Sequence, residues 1–145
     1  MGKREIYYGA ALVAAPVFCL LYHLCYSTGS LRLDALFDDK KILLWGVIIF
    51  PVMEELAFRG VIQEYIAAKT KRVPSFFMLS SANILTSLLF TLLHLSYHHA
   101  IWISLVFFPS LVFGYFKEQY QRILPSIILH AFYNVNFILF AGSLR

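Results

Sequence analysis

Five apolar runs, each near the length that crosses a bilayer, occupy most of this 145-residue chain. They cover residues 6–26, 42–67, 76–95, 101–116 and 124–141. A spanning helix needs about 20 predominantly apolar residues. The chain is 60% hydrophobic and only 14% charged, whereas soluble domains carry charge on about a quarter of their residues. A water-soluble core of this size cannot hide so much apolar surface, because small domains leave much of their surface in solvent. A bilayer removes the difficulty by acting as the solvent. The expected fold is therefore all-α, a polytopic transmembrane helical bundle of about five spans. The net charge of +4 does not point to nucleic acid. Most basic residues sit at the ends of the apolar runs, where membrane topology places them, so the expected partner is the lipid bilayer.

The connections carry charge or turn residues. Residues 27–41 include Gly29, Asp34, Asp38 and Asp39, residues 69–74 read KTKRVP, and residues 117–122 read KEQYQR. Ser96, Tyr97, His98 and His99 separate the third run from the fourth, and Pro125 stands where the fifth helix would begin, a position that tolerates a missing N–H. With no repeat and no low-complexity segment, residues 1–145 read as a single transmembrane domain, 1–30 a leading transmembrane helix and 41–141 the core. Lys3 and Arg4 before an apolar stretch also suit a signal peptide, with a weak cleavage site at 27–30. The run 6–26 exceeds the roughly 7–15 residues of a signal's apolar region, which favours a retained helix. An N-terminus on the cytoplasmic side puts Lys3, Arg4, Lys69, Lys71, Arg72, Lys117 and Arg122 inside, against Arg32, Lys40, Lys41 and Arg145 outside, the expected bias. Cys19 and Cys25 are about 9 Å apart along a helix, beyond disulfide reach, and read as packing residues.

The second run holds Glu54, Glu55 and Arg59. Each charge at the centre of a span costs about 2.5–3.5 kcal/mol on insertion scales. Glu55 and Arg59, four apart on one face, can neutralise each other as a structural ion pair. Glu54 lies about 100° around the helix from Glu55 and needs a partner of its own. Pro51, about one turn earlier, is expected to kink the helix and open backbone there. Glu64, near the end of the run, reads as a solvated interface residue. The third run has no Asp, Glu, Lys or Arg, yet Asn83, Ser87, Phe90 and His94 share one face. The fifth repeats the device with Ser126, His130 and Asn134. A lone intramembrane histidine is often a hydrogen-bonded packing residue. Two of them on separate helices, with aligned polar neighbours and a carboxylate on a third helix, point to one interior cavity. His23, His98 and His99 read as interface or loop residues.

Glu54-Glu55-Leu56-Ala57-Phe58-Arg59 forms an EExxxR pattern, Phe90-Thr91-Leu92-Leu93-His94 an FxxxH pattern, and His130-Ala131-Phe132-Tyr133-Asn134 an HxxxN pattern. In this order, inside apolar helices, they resemble the three signature motifs of the CPBP intramembrane proteases, which include CAAX prenyl endopeptidases and bacteriocin-processing or immunity proteins. The resemblance covers residues 43–139. It implies a glutamate-dependent intramembrane endopeptidase in a prokaryotic inner membrane, acting on a membrane-anchored or lipidated protein or peptide. Glu54 would be the general base that activates water, and a carboxylate in an apolar cavity suits that task. His94 would orient that water or move its proton. His130 and Asn134 would donate hydrogen bonds to the developing oxyanion. Glu55 and Arg59 would support the site from behind, and Phe90 would pack the His94 helix against it. The family commonly has more helices, so a second copy of the chain or a partner subunit is a candidate to complete the substrate cleft.

One Glu and two His also match the ligand set of a hydrolytic zinc. Zincins, however, place both histidines on one helix as HExxH, whereas here they come from different helices, so neither metal nor other cofactor is expected. A non-catalytic immunity or scaffold protein of the same fold is the alternative. A small transporter is a third reading, disfavoured by the lack of visible inverted repeats. The run boundaries raise one conflict of depth. His130 would lie about 9 Å from the cytoplasmic end of its helix, His94 near the far end of the third run and Glu54 near the middle of the second. For these to meet, the third helix must start or tilt differently from the run as drawn.

Overall fold

The computed structural model of the chain describes residues 2–26, 40–70, 79–97 and 101–141. The connections read at 27–39, 71–74 and 98–99, the cleavage-site alternative, and Arg32, Lys71, Arg72 and Arg145 of the orientation argument lie outside the described residues. All regular elements among the described residues are helical. Helix α1 is Lys3–Tyr26. Helix α2, over 42–70, is compound: a wide-turned π segment Ile42–Ile49, an α segment Phe50–Glu55, a second π segment Leu56–Ile62 and an α segment Gln63–Thr70. Helix α3 is Ser81–Tyr97. Helix α4 is Phe107–Tyr120, entered through the 3₁₀ segment Ile101–Val106. Helix α5 is Leu124–Ala141.

Five helices thus stand where five apolar runs were read, and local chemistry explains the shifted boundaries. α3 begins at Ser81, later than the run suggested, because Ser80 caps it: the Asn83 backbone N–H donates to the Ser80 hydroxyl at 2.9 Å. Pro109 sits in the first turn of α4, where a missing N–H costs no helical bond. That helix continues past residue 116 to Tyr120, so Lys117, read as part of a connection, is helical. It stops at Gln121, whose φ of 54° and ψ of 32° are left-handed. Among the described residues, one helix is long and apolar enough to cross a bilayer by itself, α1 over Lys3–Leu21; Leu124–Phe140 is a shorter apolar helix. α2 does not qualify as an apolar span because charge interrupts it, and α3 and α4 are too short.

The distribution of side chains is inverted relative to a protein dissolved in water. Asn83, Thr86, Ser87 and Thr91 of α3 are buried, while Leu85, Leu88, Leu89, Leu92 and Leu93 of the same helix are exposed. On α2, Glu55, Arg59 and Gln63 are fully buried, whereas Leu56, Val61 and Tyr65 face outward. Soluble proteins almost never bury Glu and Arg while leaving such a series of leucines outside. Hydrocarbon is the solvent for which this arrangement is favourable.

The described residues divide into two compact units at Val52 and Ile127. The first holds α1, the start of α2 and most of α5. Here the Tyr133 hydroxyl donates to the Ala11 carbonyl at 2.9 Å, about one turn before Pro16 of α1. His23 meets Phe140 edge-on at 6.2 Å. The second unit holds the rest of α2, with α3, α4 and the first turn of α5. There α3 packs against both α2 and α4. Asn83 Nδ2 donates to the Leu111 carbonyl at 2.9 Å, and Ser126 Oγ donates to the Phe113 carbonyl at 2.7 Å.

Gly114 of α4 lies against the Asn83 side chain of α3. A Cβ there would run into the Asn83 amide, with Asn83 Cγ at 2.6 Å and Gln63 Oε1 at 3.1 Å. Both amides are held by other bonds and cannot step aside freely. At Gly60 the nearest atom to a Cβ is the flexible tip of Ile123, at 3.0 Å. Gly114→Ala is therefore expected to cost about 1–3 kcal/mol in unfolding free energy, as overpacking does. Gly60→Ala should cost clearly less. Denaturant unfolding of both variants in detergent checks the ranking.

Candidate active site

The charged cluster of α2 forms around a buried network in which Arg59 Nη1 alone of the guanidinium nitrogens has no hydrogen-bond partner. Arg59 Nε donates to Glu55 Oε2 at 3.2 Å, and both side chains are 0% exposed. Arg59 Nη2 donates to the Ser110 hydroxyl at 2.7 Å and to the Ser110 carbonyl at 3.0 Å. The guanidinium also lies over the Phe90 ring, 5.5 Å from its centroid. A guanidinium buried in hydrocarbon needs such partners, because its charge cannot be titrated away. Glu54, a residue earlier, is half-buried while Glu55 is fully buried, as a turn of about 100° between neighbours requires.

Phe90 joins this network to His94. Phe58 stacks edge-on against Phe90 at 5.0 Å, and the Phe90 and His94 rings lie 4.3 Å apart. His94 Nδ1 lies 2.9 Å from the Phe90 carbonyl oxygen. A carbonyl only accepts, so Nδ1 must carry the proton and donate. In the neutral ring Nε2 is then bare and can accept a hydrogen. α2 and α3 run in opposite directions, and Phe90 meets Phe58 and Arg59. His94 lies about one turn beyond Phe90 on α3, and Glu54 and Glu55 lie about one turn before Phe58 and Arg59 on α2. The third helix does start later than the run as drawn, at Ser81, and His94 lies in its last turn.

His130 and Asn134 belong to the first unit. His130 is buried, and neither it nor Glu54 lacks a partner. Asn134 is half-buried, and its Nδ2 donates to the Gly46 carbonyl at 2.8 Å. One of its two amide hydrogens is thereby taken, and the second remains to be donated. Among the described residues, no group of three or more His, Cys, Asp and Glu is arranged to hold a metal ion.

A second polar system lies further along α2, and the motifs do not mark it. Gln63 Nε2 donates to Glu118 Oε1 at 2.7 Å and to the Gly114 carbonyl at 3.3 Å, while Ser80 Oγ donates to the same Glu118 oxygen. Lys117 pairs with Glu64, the lysine side chain 9% exposed and the carboxylate 59%. Glu64 is thus at a wet edge, and Lys117 reaches it from the interior. Sequence reasoning missed Ser110, Gln63, Ser80, Lys117 and Glu118. The signal that could have found them is the spacing of Ser110, Gly114 and Glu118, four apart on the face of α4 that meets Arg59 and Gln63.

Helical elements throughout the described residues, with charge inside and leucine outside, are the arrangement of helical membrane proteins. A family model described as type II CAAX prenyl endopeptidase Rce1-like matches residues 40–136, about two thirds of the chain and all three motifs. The chain belongs to that Rce1-like, CPBP-type family of CAAX proteases, whose members are membrane proteins. No curated protein and no solved structure matches it.

Removing one side of the buried ion pair should be far worse than removing both. Arg59→Met leaves Glu55 charged and uncompensated, at an expected cost of about 3–5 kcal/mol. Combining it with Glu55→Gln should recover most of that loss. A double-mutant cycle on unfolding in detergent measures the coupling.

Proposed function

We propose that this chain is a glutamate-dependent intramembrane endopeptidase. It cleaves a peptide bond of a membrane-anchored or lipidated protein near the membrane surface. The observation that carries this reading is the state of His94, whose Nδ1 is committed to the Phe90 carbonyl, which leaves Nε2 as an acceptor. A water held between two acceptors, the Glu54 carboxylate and His94 Nε2, has its oxygen lone pairs free for attack. Glu54 takes a proton as that oxygen adds to the scissile carbonyl carbon, and the carbonyl oxygen becomes the oxyanion. His130 and the remaining Nδ2 hydrogen of Asn134 donate to that oxyanion, usually a large electrostatic contribution in amide hydrolysis. The proton on Glu54 then passes to the leaving amine as the C–N bond breaks. Glu55, pinned by Arg59, holds the helix face that presents Glu54. Phe90 transmits the same restraint to His94.

The reading includes five membrane spans with a wet pocket between them, an N-terminus on the cytoplasmic side of a prokaryotic inner membrane, and no metal. A second copy or a partner subunit completes the cleft where the chain alone does not. Family membership and the inverted burial support the enzyme and membrane parts of the reading.

The test is cleavage of candidate membrane-anchored substrates by purified protein, with and without a chelator. Glu54→Gln, His94→Ala and His130→Ala should each abolish cleavage with unfolding unchanged. Asn134→Ala should lower kcat about 10²–10³-fold, the usual cost of an oxyanion donor. Full activity of Glu54→Gln would remove the mechanism. Loss of activity on chelation would replace the glutamate with a metal. Retained binding of a partner without any cleavage would make the chain a scaffold.

A further inference from the structure

Asn134 is held by a backbone oxygen that a regular helix would not offer. The carbonyl it uses, that of Gly46, lies in the first wide-turned segment of α2. In that segment each carbonyl is bonded by the N–H five residues later, as the Phe50 N–H bonds to the Trp45 carbonyl. The next step of the ladder would bring the N–H of residue 51 to Gly46. Residue 51 is proline and has no N–H. The Gly46 carbonyl is therefore left over from the ladder, inside a bundle where an unsatisfied backbone group is costly. The Asn134 amide supplies the missing donor at 2.8 Å. Pro51 itself is fully buried. At Gly46, an added Cβ would find only Ile138 Cδ1, at ordinary contact distance of 3.8 Å. A close approach at the glycine is therefore not what brings the two helices together there.

We infer that Pro51 is a positioning residue for Asn134: by withholding a donor from the Gly46 carbonyl, it makes that carbonyl the anchor that fixes the Asn134 side-chain amide. The anchor also decides which end of the amide is held. A carbonyl accepts, so the nitrogen must face Gly46, and the second hydrogen on that nitrogen is the one donor Asn134 has left for a substrate. Were the amide reversed, its oxygen would face another oxygen. This inference rests on the proposed role of Asn134 in hydrolysis, but its structural half does not need a substrate to be tested.

The chain has three asparagines, Asn83, Asn134 and Asn136. Protein labelled with 15N-asparagine in detergent micelles therefore gives three side-chain amide pairs. Asn134→Gln identifies the Asn134 pair by removing it. Pro51→Ala restores an N–H that competes for the Gly46 carbonyl. The Asn134 pair should then shift and its anchored proton should exchange faster with solvent, while the Asn83 and Asn136 pairs stay in place and report an intact fold. Pro16→Ala, which acts on α1, should leave the Asn134 pair unmoved. On a cleavable substrate, Pro51→Ala should lower kcat roughly ten- to a hundredfold with KM little changed, the scale of a misplaced group. In an Asn134→Ala background the same substitution should have no further effect on kcat.

An Asn134 pair that does not respond to Pro51→Ala overturns the inference, whatever the protease assay gives. So does a kcat loss that adds in full to that of Asn134→Ala, because Pro51 would then act through something else. Full cleavage by Asn134→Ala would instead remove the proposed role of Asn134, and the amide spectra would still decide whether Pro51 sets its anchor.

Discussion

Arg59 cannot shed its charge at any ordinary pH, and it is completely buried. The interior of the second unit is organised to meet that requirement. Glu55 supplies the counter-charge, Ser110 supplies both a hydroxyl and a carbonyl, and Phe90 presents its ring to the guanidinium. These partners come from α2, α4 and α3, so one side chain ties three helices at a single level. A surface ion pair of the same kind would contribute little. Here the alternative is an unpaired charge away from water, so the geometry of the three helices is held by the cost of disturbing it. His94 inherits its setting from this arrangement. Its ring rests against the ring that Arg59 engages, and its Nδ1 proton points at the carbonyl of the same residue.

The first unit is held together by a different economy of polar groups. It brings α1, the start of α2 and α5 together without an ion pair among the contacts described above. Instead, two adjacent residues of α5 reach two different helices. Neighbours on a helix diverge by about 100°, which lets Tyr133 bond the Ala11 carbonyl of α1 and Asn134 the Gly46 carbonyl of α2. The Gly46 carbonyl lies five residues before Pro51, where its wide-turned segment would need a donor. The Asn134 side chain thus compensates for backbone that α2 leaves incompletely bonded, a solution open to helices in hydrocarbon.

Much of this was legible in the sequence because it depends on spacing within a helix. The i, i+4 relation of Glu55 and Arg59, and the polar stripe from Asn83 to His94, need only the helical period to be seen. The α5 run was readable to its ends because Pro125 marks the start and no Asp, Glu, Lys or Arg interrupts it. Other features depend on contacts between helices or on backbone atoms, which spacing alone does not show. Ser110 looked like an ordinary small residue of an apolar run until Arg59 was found against it. Lys117 looked like a loop residue because KEQYQR is polar throughout, yet the helix continues through it and its ammonium reaches Glu64. The start of α3 was misplaced because Phe76 and Phe77 extend the apolar run, whereas a capping serine four residues later sets the helix. The wide turns of α2 leave no mark on its composition. Pro51 was read as a kink, and its effect is to release a carbonyl for another helix.

The wide turns have a consequence for how this chain can change in length. A π turn closes a ring one residue larger than an α turn does. Deleting a residue from Ile42–Ile49 or Leu56–Ile62 would let the local ladder tighten from i→i+5 to i→i+4 while the helix on either side kept its phase. Elsewhere in a helix, losing one residue would swing every later side chain of that helix through about 100°, and a loss within Phe50–Glu55 would take Arg59 away from Ser110. The two segments are therefore slack in the winding of α2, and natural single-residue gaps between otherwise similar chains should gather there.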